Sequence, residues 1–345
     1  MDMESIPAFA SERLQASYGA DGLARILDGY EAARTRPVTL RANTLKASAD
    51  EVASALDAAG IRFERVPWYA DAFVLDGLMA SRDEHAVWDL DIYREGKVYL
   101  QSLSSMLPPL LLDAQPGTDV LDMCAAPGGK TAQIAALAGG RAHLTACELN
   151  GPRAEKLSHN LSKLGAANVQ IMRTDARRLD EFFRFDAILL DAPCTGTGTI
   201  CTGGGRAASR ITDKLLAKVT RVQRALLDRA LTILKPGGTL VYSTCSILAE
   251  ENERQVEAVL SSKRHRDCAV APIVLGEIPL EHAEQPAQEK EKVKDGERPR
   301  PVALPGADIG AFAIPTLPCS LDGALTVAPT RLFEGFFVCA VHKRR

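Results

Sequence analysis

The chain has 345 residues, a formal net charge of −3 and a pI near 6.1, with 46% hydrophobic and 25% charged residues. These values predict a soluble chain of one large or two smaller domains, and they exclude a global basic field for nucleic acid. The N-terminus lacks the basic and apolar regions of a signal peptide, and no apolar run reaches ~18 residues. We therefore expect a cytoplasmic protein with no membrane partner.

The first third of the sequence predicts a helical segment over 1–35 and a small α+β domain over 36–100. Apolar residues recur near a 3.6-residue period between 5 and 33. Ser48 and Glu51 have the spacing of a capping box, which predicts a helix that starts at Ser48 and stops before Gly60. The expected strands of this domain are 38–43, 61–66 and 72–75.

The remainder, 101–345, alternates strands with helices from residue 117 onward. This alternation predicts an α/β fold with a mostly parallel sheet covered on both faces. The expected strands are 118–122, 142–147, 168–173, 186–191 and 238–243, with an antiparallel closing strand at 335–341. The expected helices are 129–138, 151–163 and 213–234.

A charged, proline-bearing stretch interrupts this pattern at 281–306. It contains almost no large apolar groups, so it cannot bury enough surface to order itself. We expect a mobile loop there.

Eight cysteines occur without any CxxC pair, which argues against a zinc site or a disulfide framework. We expect reduced thiols and no metal. Most of the eight fit buried, inert cysteines. Cys194 and Cys245 are different, because each closes a short apolar run within a distinctive motif.

The segment from Asp122 to Thr131 (DMCAAPGGKT) predicts a ligand-binding turn between a strand and a helix. Gly128 and Gly129 allow close backbone approach, and the following helix contributes a positive N-terminus. The segment is not a Walker A loop, because Cys124 stands where that motif has its first glycine. It also lacks the dinucleotide-binding pattern GxGxxG. The turn therefore suits a nucleoside-type cofactor without phosphates.

Three further acids end predicted strands of the same sheet. Glu148 is placed to bind ribose hydroxyls, Asp175 to accept from an adenine amino group, and Asp191 ends the fourth strand. Carboxylates at one edge suit S-adenosylmethionine, a sulfonium cation that carries adenosine.

The two motif cysteines suit methylation of a pyrimidine. A thiolate that adds to carbon 6 of cytosine makes carbon 5 nucleophilic enough to attack a methyl sulfonium. Asp191, protonated or sharing a proton, is a candidate donor toward ring nitrogen 3, and Lys130 is a candidate to orient either Asp191 or the ribose. Residue types alone leave open whether Cys194 or Cys245 is the nucleophile.

Together DMCAAPGGKT, DAPCTGTG and YSTCS resemble the NOP/Sun (Fmu-type) family of S-adenosylmethionine-dependent RNA cytosine-5 methyltransferases. The resemblance implies a Rossmann-like catalytic domain and an RNA-recognition-like domain over 36–100. It implies that Cys245 is the nucleophile, that Cys194 assists product release, and that Asp191 acts on the cytosine. The donor would be held by the residues Cys124, Ala125, Ala126, Pro127, Gly128, Gly129, Lys130, Glu148, Asp175 and Asp191.

The resemblance favours ribosomal RNA as the substrate, with transfer RNA second, for a chain that we expect to be monomeric. The sequence departs from the family's pattern at two places that bear on the choice of target: a glycine-rich stretch at 199–205, and Ala249 where the family has proline. Two other classes stay open, a catalytically silent RNA-binding ribosome assembly factor and a nucleotide hydrolase. Candidate RNA contacts are four basic residues spaced by four and two short clusters: Arg206, Arg210, Lys214, Lys218, 263–266 and 342–345.

Overall fold

The computed structural model describes residues 6–201, 211–276 and 299–345. Its N-terminal part is a long helix followed by a four-stranded antiparallel sheet of order β2-β3-β1-β4. The elements are α1 (Ala8–Ala32), β1 (Pro37–Ala42), α2 (Ala49–Ala58), β2 (Phe63–Val66), β3 (Tyr69–Met79), α3 (Glu84–Trp88), α4 (Asp91–Arg94) and β4 (Val98–Leu100). The predicted capping box is confirmed, since Ser48 Oγ accepts from Glu51 N and the Glu51 carboxylate accepts from Ser48 N.

The rest of the chain is built on a nine-stranded sheet. The predicted strands and helices of this part are confirmed to within a few residues. Its elements are α5 (Leu103–Leu111), β5 (Asp119–Asp122), α6 (Gly129–Leu137), β6 (His143–Cys147), α7 (Gly151–Lys163), β7 (Val169–Met172), β8 (Phe185–Asp191), α8 (Asp213–Ile233), β9 (Leu234–Thr244), α9 (Glu253–Leu260), β10 (Cys268–Ala271), β11 (Ile273–Leu275), β12 (Val302–Leu304), β13 (Thr316–Leu317), β14 (Leu325–Val327) and β15 (Phe336–Lys343).

The strand order is β13-β14-β15-β9-β8-β5-β6-β7, with β10 paired to β15. Strands β5 to β9 are mutually parallel, and β15 runs antiparallel to β9 as expected. This is a Rossmann-like arrangement, in which the strand order reverses between β5 and β8. Ligands bind at the carboxyl ends of the strands beside such a reversal.

Successive side chains of the central strands point to opposite faces of the sheet, and so the core has two layers. On β8, Leu189 packs on the side of α5, α6 and α7, whereas Ile188 and Leu190 pack on the side of α8 and α9. Full burial of one such side chain stabilises the fold by about 1.5–3 kcal/mol. Both faces are thus covered, and the strand ends remain the accessible edge.

Helix α1 packs across the loops that follow β8 and β9. Leu14 and Ile26 are buried in the same cluster as residues of both loops. Tyr18 Oη donates to the carbonyl of Ile247 at 2.9 Å, and Tyr30 Oη donates to that of Thr197 at 2.6 Å. The N-terminal helix therefore braces the segments that carry the two motif cysteines.

The expected mobile loop at 281–306 is only partly described. Residues 281–298 lie outside the described ranges. Residues 299–306 differ from the expectation, because β12 pairs in parallel with β11 and buries Leu304. In the described part of the chain, no helix has both the length and the apolarity needed to cross a bilayer.

Candidate active site

The loops at the carboxyl ends of β5, β8 and β9 surround a cavity of about 300 Å³. Strand β4 and the loop before β15 complete its wall. The residues that carry its chemistry are Asp122, Cys124, Ala125, Ala126, Pro127, Gly129, Lys130, Asp191, Cys245 and Glu334. One cavity therefore contains most of the glycine-rich turn, one motif cysteine and a carboxylate–ammonium pair.

Asp122 stabilises the glycine-rich turn through two hydrogen bonds. Its carboxylate accepts from Thr131 Oγ1 at 2.7 Å and from Cys124 N at 3.3 Å. Gly128 then caps α6 with φ of 109°, a left-handed conformation that favours glycine. A Cβ on Gly129 would lie 2.5 Å from the Tyr99 ring, so glycine there makes room for a side chain of the N-terminal sheet.

Asp122 gives the fold a specific pH dependence. Burial raises the pKa of this carboxyl to about 6, above its value of about 3.9 in an unfolded chain. The folded state thus binds the extra proton, and the stability contributed by Asp122 is full below pH ~4 and lost as pH rises through ~6. We expect wild type to lose on the order of 2 kcal/mol of unfolding free energy relative to Asp122→Asn between pH 4 and 7.

Urea unfolding of both proteins across this pH range measures the difference. Asp57→Asn, a change at an exposed position of α2, is the control and should follow wild type. If the unfolding free energies of wild type and Asp122→Asn changed equally with pH, the buried carboxyl would not titrate in this range.

Asp191 is held on both oxygens. Lys130 Nζ donates to one oxygen at 2.8 Å and Ser243 Oγ to the other at 2.8 Å. The parallel register of β8 and β9 pairs Asp191 with Ser243, which explains the second bond. Burial opposes the charge on Lys130, but the Asp191 carboxylate outweighs it and the pKa of Lys130 is raised. The two donors fix the position of the Asp191 carboxyl beside the Lys130 ammonium.

The two motif cysteines meet beside this ion pair. The Sγ atoms of Cys194 and Cys245 lie 3.2 Å apart, and both side chains are partly buried. The pKa of Cys194 is raised well above its ordinary value, first by the hydrogen bond to Cys245 and then by burial. Cys194 is therefore a thiol that can donate to the Cys245 sulfur. Of the two, only Cys245 lines the cavity.

Four of the sequence-predicted site residues lie outside the cavity wall. Cys194 stands behind Cys245, and Gly128 turns the chain into α6. Glu148 is buried and accepts from Asn150 N at 2.8 Å. Asp175 binds the Arg177 guanidinium, with a shortest contact of 2.6 Å. The last two acids occupy the expected ends of β6 and β7.

Several cavity residues had no signal in the sequence motifs. Tyr99, Thr199, Glu334 and Phe336 all contribute to the wall, and Lys130 Nζ lies 5.7 Å from the Phe336 ring centroid. Tyr99, Glu334 and Phe336 lie far from the motifs in the chain, so only tertiary packing brings them to the cavity. Ser243 could have been found, because a parallel neighbour of β8 places it beside Asp191.

The candidate RNA contacts divide into exposed and internally bonded groups. Lys214 and Lys218 are exposed on one face of α8, whereas Arg206 and Arg210 lie outside the described residues. In the cluster at 263–266, His265 is buried and lies 2.8 Å from Asp228. Among the aromatic residues that could stack on a base, Trp68 and Tyr69 are buried in the core, whereas Trp88 is 48% exposed.

Comparison with known proteins identifies the family of this fold and site. The model of the 16S rRNA methyltransferase RsmB/F family matches residues 109–298, and the model of the ferredoxin-like domain of RsmF/B-like methyltransferases matches residues 6–81. The chain belongs to the RsmB/F methyltransferase family. The sheet is thus the family's Rossmann-like methyltransferase sheet, and the N-terminal unit is its ferredoxin-like domain.

Two curated relatives each match about two thirds of this chain. Ribosomal RNA small subunit methyltransferase F of Shewanella amazonensis is 38% identical over 220 residues, which cover 63% of this chain and 46% of that protein. The Serratia proteamaculans protein of the same name is 36% identical over 68% of this chain and 50% of its own length. The chain spans about half the length of the curated relatives it matches.

Two solved structures match the fold over nearly the whole chain. A methyltransferase homolog protein from Pyrococcus horikoshii superposes with a TM-score of 0.74 at 29% identity, covering 99% of this chain and 100% of that one. NSun6 from Pyrococcus horikoshii, solved with SFG, gives a TM-score of 0.76 at 21% identity with full coverage of both chains. The second match shows the fold alone.

Proposed function

We propose that this chain transfers a methyl group from S-adenosylmethionine to carbon 5 of a cytosine in RNA, with Cys245 as covalent nucleophile. The observation that carries the proposal is the convergence of Cys245, the Asp191–Lys130 pair and the glycine-rich turn in one cavity. Ribosomal RNA is the favoured substrate, because the curated relatives are named as small subunit RNA methyltransferases.

The cavity fits the donor in size and chemistry. Its volume of about 300 Å³ is at the lower end for small-molecule sites. Gly128, Gly129 and the N-terminus of α6 offer backbone N–H groups, and Asp122 and Glu334 place carboxylates on the wall where a sulfonium is favoured. When bound, S-adenosylmethionine supplies an electrophilic methyl group.

Glu148 and Asp175 are the proposed handles for the ribose and the adenine. Glu148 follows β6, the neighbour of β5, and Asp175 follows β7, the next strand outward, so both lie at the carboxyl edge of the sheet where ligands bind. Asp175 must exchange part of its contact with Arg177 to take a ligand.

The residues at the cytosine each have a separate role in the reaction. Cys245 Sγ adds to carbon 6 of the cytosine, and the electron pair moves toward carbon 5 and ring nitrogen 3. Asp191, 2.8 Å from the Lys130 ammonium, shares a proton from that pair with nitrogen 3. After carbon 5 is methylated, a base removes its proton, the electron pair of that bond re-forms the double bond between carbons 5 and 6, and the bond from carbon 6 to Cys245 Sγ breaks to release the thiolate. The Cys194 thiol, 3.2 Å away, donates a hydrogen bond to the departing sulfur.

The test combines donor binding with mapping of methylated cytosines. The protein is titrated with S-adenosylmethionine by calorimetry, then incubated with donor and either unmodified small-subunit ribosomal RNA or unmodified transfer RNA. We expect bisulfite sequencing to show newly protected cytosines in the ribosomal RNA. Protection only in transfer RNA would reassign the target. Donor binding without methylation of either RNA would favour the silent assembly factor, and ATP hydrolysis would favour the hydrolase.

A further inference from the structure

Glu251 is a fully buried carboxylate in the loop between β9 and α9. It accepts four hydrogen bonds, two on each oxygen. Oε1 accepts from Thr195 N at 2.8 Å and from Gln223 Nε2 at 3.1 Å, and Oε2 accepts from Thr195 Oγ1 and Ser246 Oγ, each at 2.5 Å. Four donors fill the acceptor sites of an ionised carboxylate.

The donors of Glu251 are placed symmetrically about the two thiols. Thr195 directly follows Cys194, and Ser246 directly follows Cys245. Gln223 of α8 also donates to the carbonyl of Pro193 at 3.0 Å, on the other side of Cys194. One side chain thus binds the chain next to each cysteine.

Other contacts hold the same loops but do not replace this link. Gly198 N donates to the carbonyl of Cys245 at 3.0 Å, and the hydroxyls of Thr197 and Ser246 lie 2.8 Å apart. A Cβ on Gly198 would lie 1.8 Å from the carbonyl oxygen of Gly335, so this loop is packed without free space. Only Glu251 contacts a neighbour of Cys194 and a neighbour of Cys245 with the same charged group among the residues described.

Burial raises the pKa of the Glu251 carboxyl, and the hydrogen bonds that it accepts oppose this shift. None of the ion pairs in the described ranges includes it. A buried unpaired charge is costly unless hydrogen bonds compensate it, so four neutral donors are needed here. Its charge also contributes to raising the pKa of Cys194, after the hydrogen bond to Cys245, burial and the charge of Cys245.

We propose that Glu251 is a positioning residue that holds the Cys194 and Cys245 thiols at the separation required for addition and release. The proposal rests on the cysteine chemistry proposed above. It adds a buried group that lies outside the cavity wall and acts through its hydrogen bonds to the residues that follow the two cysteines.

Glu251→Gln tests this role with little change of volume. The amide replaces one acceptor oxygen with a donor, which must then face two existing donors. We expect kcat for methylation to fall by about 10²-fold, the loss typical of a displacement near 1 Å. KM and affinity for S-adenosylmethionine should stay unchanged, because the glycine-rich turn does not contact Glu251. Glu257→Gln, which removes an exposed carboxylate from α9, is the matched control.

A second readout measures the thiol pair without RNA or donor. Ellman's reagent reacts with one thiolate to give a mixed disulfide and one thionitrobenzoate. The second thiolate then displaces the other thionitrobenzoate and forms the Cys194–Cys245 disulfide, which peptide mass spectrometry locates. We expect this closing step to be at least about tenfold slower in Glu251→Gln, because a displaced pair has a lower effective concentration. The pH profile of the closing rate should also move to lower pH, because removal of the Glu251 carboxylate lowers the pKa of Cys194.

The outcomes separate this proposal from the proposed function. Wild-type closing rate and kcat in Glu251→Gln would overturn the positioning role, even if its melting temperature fell. If Glu251→Gln does not fold, Thr195→Val decides, because it removes only one hydroxyl donor; unchanged closing in that variant would also overturn the role. A wild-type protein that closes the disulfide quickly but methylates no RNA would count against the proposed function alone.

Discussion

Cys245→Ala is expected to reduce methyl transfer by at least about 10³-fold, the scale seen when a covalent nucleophile is removed. Without the Sγ atom no bond to carbon 6 forms, and carbon 5 stays too weakly nucleophilic to take the methyl group. Donor affinity should stay close to that of wild type, because Cys245 follows β9, whereas the turn at Cys124 to Pro127 follows β5, two strands away. Single-turnover methylation with labelled donor, together with calorimetry, measures both quantities.

The control for Cys245→Ala is Cys319→Ala. Cys319 is a partly buried thiol that packs against the core on the side of α8 and α9 and takes no part in the cavity. It tests whether loss of any thiol affects turnover. Turnover by Cys245→Ala at the rate of this control would remove Cys245 from the nucleophile role.

Cys194→Ala is expected to trap the RNA on the protein. Addition by Cys245 should proceed, but the departing thiolate loses the hydrogen bond that Cys194 offers from 3.2 Å. Elimination then becomes the slow step, and a covalent adduct accumulates. A denaturing gel should show a slow band that requires RNA and disappears on protease treatment, while multiple-turnover methylation falls.

The double variant Cys194→Ala/Cys245→Ala is the control for the adduct. It should give no slow band, because the attacking sulfur is missing. An adduct in Cys245→Ala but not in Cys194→Ala would reverse the two roles. This outcome matters because residue types alone left the order of the two cysteines open.

The sequence was most informative where chemistry and strand ends coincide. Asp191 and Cys245 each close an apolar run that was predicted as a strand of one parallel sheet, and the carboxyl ends of such strands share an edge. Lys130 was predicted to orient Asp191 or the ribose. The structure brings these three residues to one cavity. Local signals, such as the capping box at Ser48, were equally reliable because they involve only neighbouring residues.

Features set by tertiary packing were not predictable. Helix α5 contains Pro108 and Pro109, which disfavour a helix locally, yet Leu103, Met106 and Leu107 bury its apolar face. Strand β12 lies in a stretch whose average composition is polar, and its pairing with β11 depends on a few apolar residues. Glu251 lies six residues beyond Cys245, and a lone acid at that distance gives no sign of its four partners.

Helix α1 supports the loops after β8 and β9, which carry Cys194 and Cys245. We therefore expect that the part of the chain built on the large sheet does not hold these loops in place without α1. A fragment beginning after the ferredoxin-like domain would keep every residue of the cavity that comes from the large sheet. It would nevertheless lose the phenol groups that anchor Ile247 and Thr197, and with them part of the rigidity of both cysteine segments. Mixing domains between family members would therefore require matching the first helix to the loops it supports, as well as joining the two sheets.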